Sequence, residues 1–128
     1  MYVYYNPNVV RKTGSDCVIR AIAKVTSQTW NNVFSGLMNV AFHEKDMPSA
    51  NHVWAKYLKG LGFRKYIVPD RCPDCYTVRD FCFDHPIGRY VLAADSHAVA
   101  AVDGDWFDAW DSGDEIVLYY WKEKTHAK

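Results

Sequence analysis

Three residues in the chain are equipped for nucleophilic chemistry, and they occur in the order Cys17, His97, Asp108. Cys17 follows Gly14, Ser15 and Asp16 and opens a run in which Val18, Ile19, Ile22 and Val25 recur at helical spacing, with Ser15 or Asp16 as the cap. A thiol in the first turn of a helix sits over unpaired backbone N–H groups and the positive end of the helix dipole, and both favour the thiolate. The same N–H groups suit a developing oxyanion. The competing reading is a small buried core cysteine.

A cysteine nucleophile needs a base within hydrogen-bond reach, and the base needs a third group that fixes its tautomer. His97 opens the run His-Ala-Val-Ala-Ala-Val, and Asp103-Gly104 follows as a two-residue turn. That turn pairs Val102 with Asp105 and Val99 with Asp108, which sets Asp108 diagonal to His97 on one face. Asp111 is the alternative orienter, because moving the turn by one residue changes which carboxylate shares the face of His97. Taken singly, His97 reads as a satisfied core histidine and the two aspartates as turn or cap residues.

A second constellation is Cys72-Pro-Asp-Cys75 followed by Cys82-Phe-Asp-His85. Its ligand types and two-residue spacers suit a structural, tetrahedral zinc, which would leave the Cys17 group untouched. Against it, residues 77–84 read as an ordinary capped helix with Val78, Phe81 and Cys82 as core. No cofactor is needed for chemistry at Cys17.

The elements that must position these groups fall into two halves. Helices are expected at 16–25, from Thr29 with Trp30, Val33, Phe34, Leu37, Met38 and Ala41 on one apolar face, from Ser49 to Gly60, and at 77–84. Strands are expected at 2–5 on an edge, at 63–68, and then at 89–94, 97–102, 106–110 and 115–121 as an antiparallel meander. Both faces of 97–102 are apolar, which predicts cover on both sides. The order is that of an α+β fold, with N-terminal helices packed on a C-terminal antiparallel sheet.

The chain has 128 residues, read as one domain over 1–128, with Lys+Arg 15 against Asp+Glu 15. A balanced charge gives no electrostatic case for nucleic acid or an anionic membrane surface. The first residues lack a basic region followed by an apolar run and no window is long enough to span a bilayer, so a cytoplasmic protein is expected, with its cysteines as thiols or metal ligands. His43, His52 and His126 have no partner by spacing and are expected in solvent.

The run His97-Ala-Val-Ala-Ala-Val102 resembles the strand that begins at the catalytic histidine of papain-like cysteine peptidases, and Asp108-Ala109-Trp110 is similar to the Asn-Ser-Trp of that family's next strand. Asp16-Cys17 early and His97 then Asp108 late look most like the compact bacteriocin-processing branch and short phage-borne relatives. The resemblance implies a papain-like fold, a thiol hydrolase acting on a protein or peptide, Asp108 as orienter, and Trp110 shielding the His–Asp bond. The family's oxyanion glutamine would stand at Arg11, so the helper falls to the Cys17 N–H with Arg11 or Asn8, beside Asp16. Two functions are carried forward: a cysteine peptidase, isopeptidase or amidase, and a non-catalytic, zinc-stabilised interaction module on the same fold, such as an inhibitor of a host protein.

Overall fold

A computed structural model describes residues 1–12 and 14–124; Thr13, and His126 with the rest of 125–128, lie outside the described residues. In chain order the elements are β1 (Tyr2–Tyr4), α1 (Cys17–Thr26), α2 (Trp30–Glu44), α3 (Asn51–Gly60), β2 (Phe63–Ile67), α4 (Val78–Asp84), β3 (Arg89–Ala94), β4 (His97–Val102), β5 (Asp105–Asp108) and β6 (Tyr119–Glu123). The fold is mixed α+β, and its six strands form one sheet in the order β1-β5-β4-β3-β6-β2.

The meander expected in the second half is present as β3-β4-β5, but β6 returns to pair with β3, and β2 closes that side. β1 is an edge strand, as expected, and it runs parallel to β5 with Tyr4 opposite Asp108. Turn chemistry sets the critical register. Asp103 and Gly104 adopt φ 50° and 84°, the double positive φ of a tight hairpin turn, and Val102 therefore faces Asp105.

Strand alternation divides the interior. Val91, Ala93, Ala98, Ala100 and Val102 face α1, α2 and α3 with Ile22, Leu37, Trp54, Leu58 and Trp121. Tyr90, Leu92, Val99 and Ala101 face α4 with Val78, Phe81 and Cys82. The central strands are thus covered on both faces, and each fully buried Val, Leu or Phe contributes about 2 kcal/mol of transfer free energy.

α1 runs directly over β4 and carries Ile22 and Val25 into the core, which fixes where its first residue lies. The apolar face expected on α2 is narrower than its sequence suggests. Val33, Leu37 and Ala41 are buried, whereas Phe34 and Met38 stand exposed and Trp30 half-buried. α2 packs chiefly on α1 and α3, and two helices cover less of its circumference than a sheet would. Among the described residues no helix is long and apolar enough to cross a membrane.

Candidate active site

Cys17 is the first residue of α1, half-buried, and Asp16 occupies the cap position without making a side-chain cap bond. Its carboxylate is used elsewhere. Asp16 Oδ1 accepts from Arg20, and Oδ2 accepts from Trp30 Nε1 at 2.8 Å and Asn8 Nδ2 at 3.1 Å. The first-turn N–H groups beside the sulfur thus receive no cap bond from the Asp16 side chain.

His97 begins β4 and Asp108 ends β5, and the hairpin register brings His97 Nε2 to 2.6 Å from Asp108 Oδ2. With Nε2 committed to Asp108, Nδ1 is the ring nitrogen left toward the Cys17 thiol, and both side chains line one cleft. Burial pushes the Cys17 thiol up, but the His97 and Ala98 hydrogen bonds and the charges of His97 and Arg20 outweigh it, and the thiol is more acidic than an ordinary cysteine. Burial pulls His97 down, yet its bonds to Asp108 and Cys17 prevail and raise it to about 9. The two shifts run in the directions that favour a thiolate beside an imidazolium.

Asp108 is 2% exposed and its carboxylate is fully used. Oδ2 accepts from His97 and from Ser112 Oγ at 2.6 Å, while Oδ1 accepts from Arg20 at 3.1 Å and the Ala109 N–H at 2.7 Å. Burial raises its pKa, but the bonds from His97 and Ser112 carry it below the usual carboxylate range. The backbone is pinned as well, with Asp108 O accepting from Tyr5 N and the Tyr2 hydroxyl. Asp111 is not part of this group: its Oδ1 accepts from Trp106 Nε1 and Gly113 N.

A cleft of about 660 Å³ opens over the sulfur, lined by Cys17, Val18, Trp54, Ala93, His97 and Trp110 among others. The Trp110 ring lies 4.8 Å from the His97 ring and is half exposed, so it lids the imidazole on its solvent side. Asn8, Arg11 and Asp16 line a separate hollow with Trp30 and Phe34 on the far side of Gly14 and Ser15. Asn8 Nδ2 donates to Asp16 Oδ2 and its Oδ1 accepts from the Val10 and Arg11 N–H groups, which seats it in this hollow and not among the residues lining the cleft over Cys17. Arg11 is exposed beyond that loop.

The proposed zinc ligands are not brought together. Cys72 and Cys75 are joined in a disulfide, against the expectation of thiols or metal ligands, and Cys82 is buried under the sheet. His85 stacks on Phe81 with ring centroids 3.8 Å apart, and its Nδ1 lies 2.8 Å from Phe81 O. Among the described residues no three His, Cys, Asp or Glu side chains are grouped to hold a metal ion. Residues 77–84 form the capped helix instead, with Thr77 and Asp80 exchanging side-chain and backbone bonds as a capping box. Elsewhere, His52 is exposed but pairs with Asp46 at 2.7 Å, and exposed His43 Nδ1 lies 2.9 Å from Asn39 O.

Arg20 and Ser112 were not expected at the site. Arg20 lies four residues after Asp16 on a helix, a spacing that suggests an ion pair, but nothing local points to Asp108. Ser112 reads as a turn residue between Asp111 and Gly113. Comparison with family models, curated proteins and solved structures finds no match to this chain.

Proposed function

We propose that the chain is a cysteine-dependent acyl-transfer enzyme of the peptidase, isopeptidase or amidase type, acting on a protein or peptide with Cys17, His97 and Asp108 as its catalytic group. The observation that carries this reading is that Cys17 and His97 line one open cleft, with His97 hydrogen-bonded to Asp108, the thiol lowered and the imidazole raised. A papain-like fold belongs to the same reading, as does a cytoplasmic setting, against which the Cys72–Cys75 disulfide stands.

The thiolate attacks the carbonyl carbon, forming the C–S bond, and the oxyanion is received by the first-turn N–H groups at Cys17. The C–N bond then breaks as the His97 imidazolium gives its proton to the leaving amine, which leaves a thioester and neutral His97. His97 next takes a proton from water, and the resulting hydroxide attacks the thioester and releases the carboxylic acid. Thiolate and imidazolium are restored. Asp108 holds the imidazole through Nε2 and stabilises its charged form throughout.

The test is acylation by p-nitrophenyl acetate, followed by peptide mapping. The expected result is a hydroxylamine-labile acetyl group on Cys17 that wild type clears and that persists on the His97→Ala variant. Acetylation spread over lysines, with none on Cys17, would overturn the reading.

A further inference from the structure

Resting on that reading, we propose that Arg20 is a positioning residue that fixes Asp108 from the nucleophile's own helix, so that one guanidinium sets both the orientation of the His97 partner and the distance between α1 and β5. Arg20 is 6% exposed and its two terminal nitrogens go to different carboxylates: Nη1 donates to Asp16 Oδ1 and Nη2 to Asp108 Oδ1 at 3.1 Å. Asp16 and Cys17 are neighbours in the chain. The side chains therefore form an open series of alternating sign, Asp16, Arg20, Asp108 and His97, which starts at the residue before Cys17 and ends at the imidazole that shares its cleft.

The division of labour on Asp108 supports this role. Oδ2 is the oxygen on His97, and Oδ1 is held by Arg20 and the Ala109 N–H, so Arg20 resists rotation of the carboxylate away from the imidazole. A buried guanidinium is an expensive way to fill this space. Its Nε is buried without a partner among the described residues, a cost that an apolar side chain would not carry. The return comes through the two carboxylates that only a forked donor reaches together.

The test is iodoacetamide labelling of Cys17 against pH for wild type, Arg20→Gln, Asp108→Asn, the double variant and Arg20→Lys, with melting curves alongside. Arg20→Gln is expected to raise the Cys17 inflection by about one unit, a tenfold loss of thiolate on its acid side. In the Asp108→Asn background only the smaller direct effect of the lost Arg20 charge on the sulfur is expected to remain, because the rest of its influence passes through Asp108. Arg20→Lys supplies the charge without the fork and is expected to fall between wild type and Arg20→Gln, which keeps the test open if Arg20→Gln fails to fold. A full shift in the Asp108→Asn background, or a wild-type profile for Arg20→Lys, would overturn the proposal. A wild-type Cys17 that titrates as an ordinary thiol, unaffected by His97→Ala, would instead overturn the acyl-transfer reading itself.

Discussion

Ser112 donates its hydroxyl hydrogen to Asp108 Oδ2 at 2.6 Å, the same oxygen and the same distance as the His97 contact. At 1% exposure neither this hydroxyl nor the carboxylate it meets has ready recourse to water. Ser112→Ala is expected to cost about 1–2 kcal/mol in a denaturant titration and to raise the Cys17 labelling inflection, since Asp108 loses a donor that keeps it ionised.

Asp108 and Asp111 make a sharper pair. Asp108→Asn keeps the shape but disturbs the tautomer and charge of His97, and acyl transfer is expected to fall by roughly 10³–10⁴. Asp111→Asn touches only the Trp106 and Gly113 bonds, so deacetylation of Cys17 is expected to stay within about twofold while stability drops by about 1 kcal/mol. Single-turnover clearance of the acetyl group reads both.

The ion pair also leaves a signature in stability against pH. His97 is raised from 6.5 to about 9, so its contribution is fully present below 6.5 and is lost as pH rises through about 9. The melting-temperature gap between wild type and His97→Ala is accordingly expected to be large at about pH 6 and nearly closed at about pH 10. Differential scanning fluorimetry in a buffer series measures it, and a gap that widens with pH would have the wrong sign.

Two of the four cysteines are expected to titrate with a thiol reagent after denaturation without reductant, because Cys72 and Cys75 are paired while Cys17 and Cys82 are free. In the folded protein only Cys17 is expected to react at neutral pH, since burial pushes Cys82 up to about 11. The Cys72→Ser/Cys75→Ser variant closes no loop and is expected to lose at most ~2 kcal/mol, the chain-entropy value for so short a ring.

What was legible in the sequence is what local chemistry decides. Asp103-Gly104 accepts positive φ at both positions, so the hairpin register, and with it the choice of Asp108 over Asp111, followed from turn type. Thr77 announced the start of α4 as its cap, and the structure adds Asp80 to complete the capping box. What was not legible depends on partners distant in the chain. Arg20 looks like a solvent-facing charge until β5, 88 residues later, supplies Asp108. Phe34 and Met38 look like core until it is seen that α2 has only helices against it. Cys72 and Cys75 carry spacing that serves a metal and a disulfide equally, and only the placement of Cys82 and His85 on α4 and its cap separates the two.

The central claim is that Cys17 is an activated thiol because His97 and Asp108 stand beside it, and alkylation of Cys17 against pH, mapped by peptide, tests this most directly. The account predicts labelling confined to Cys17, with an inflection below that of an ordinary cysteine that moves back up in His97→Ala. An ordinary inflection indifferent to His97, or labelling at Cys82 in preference to Cys17, would contradict it.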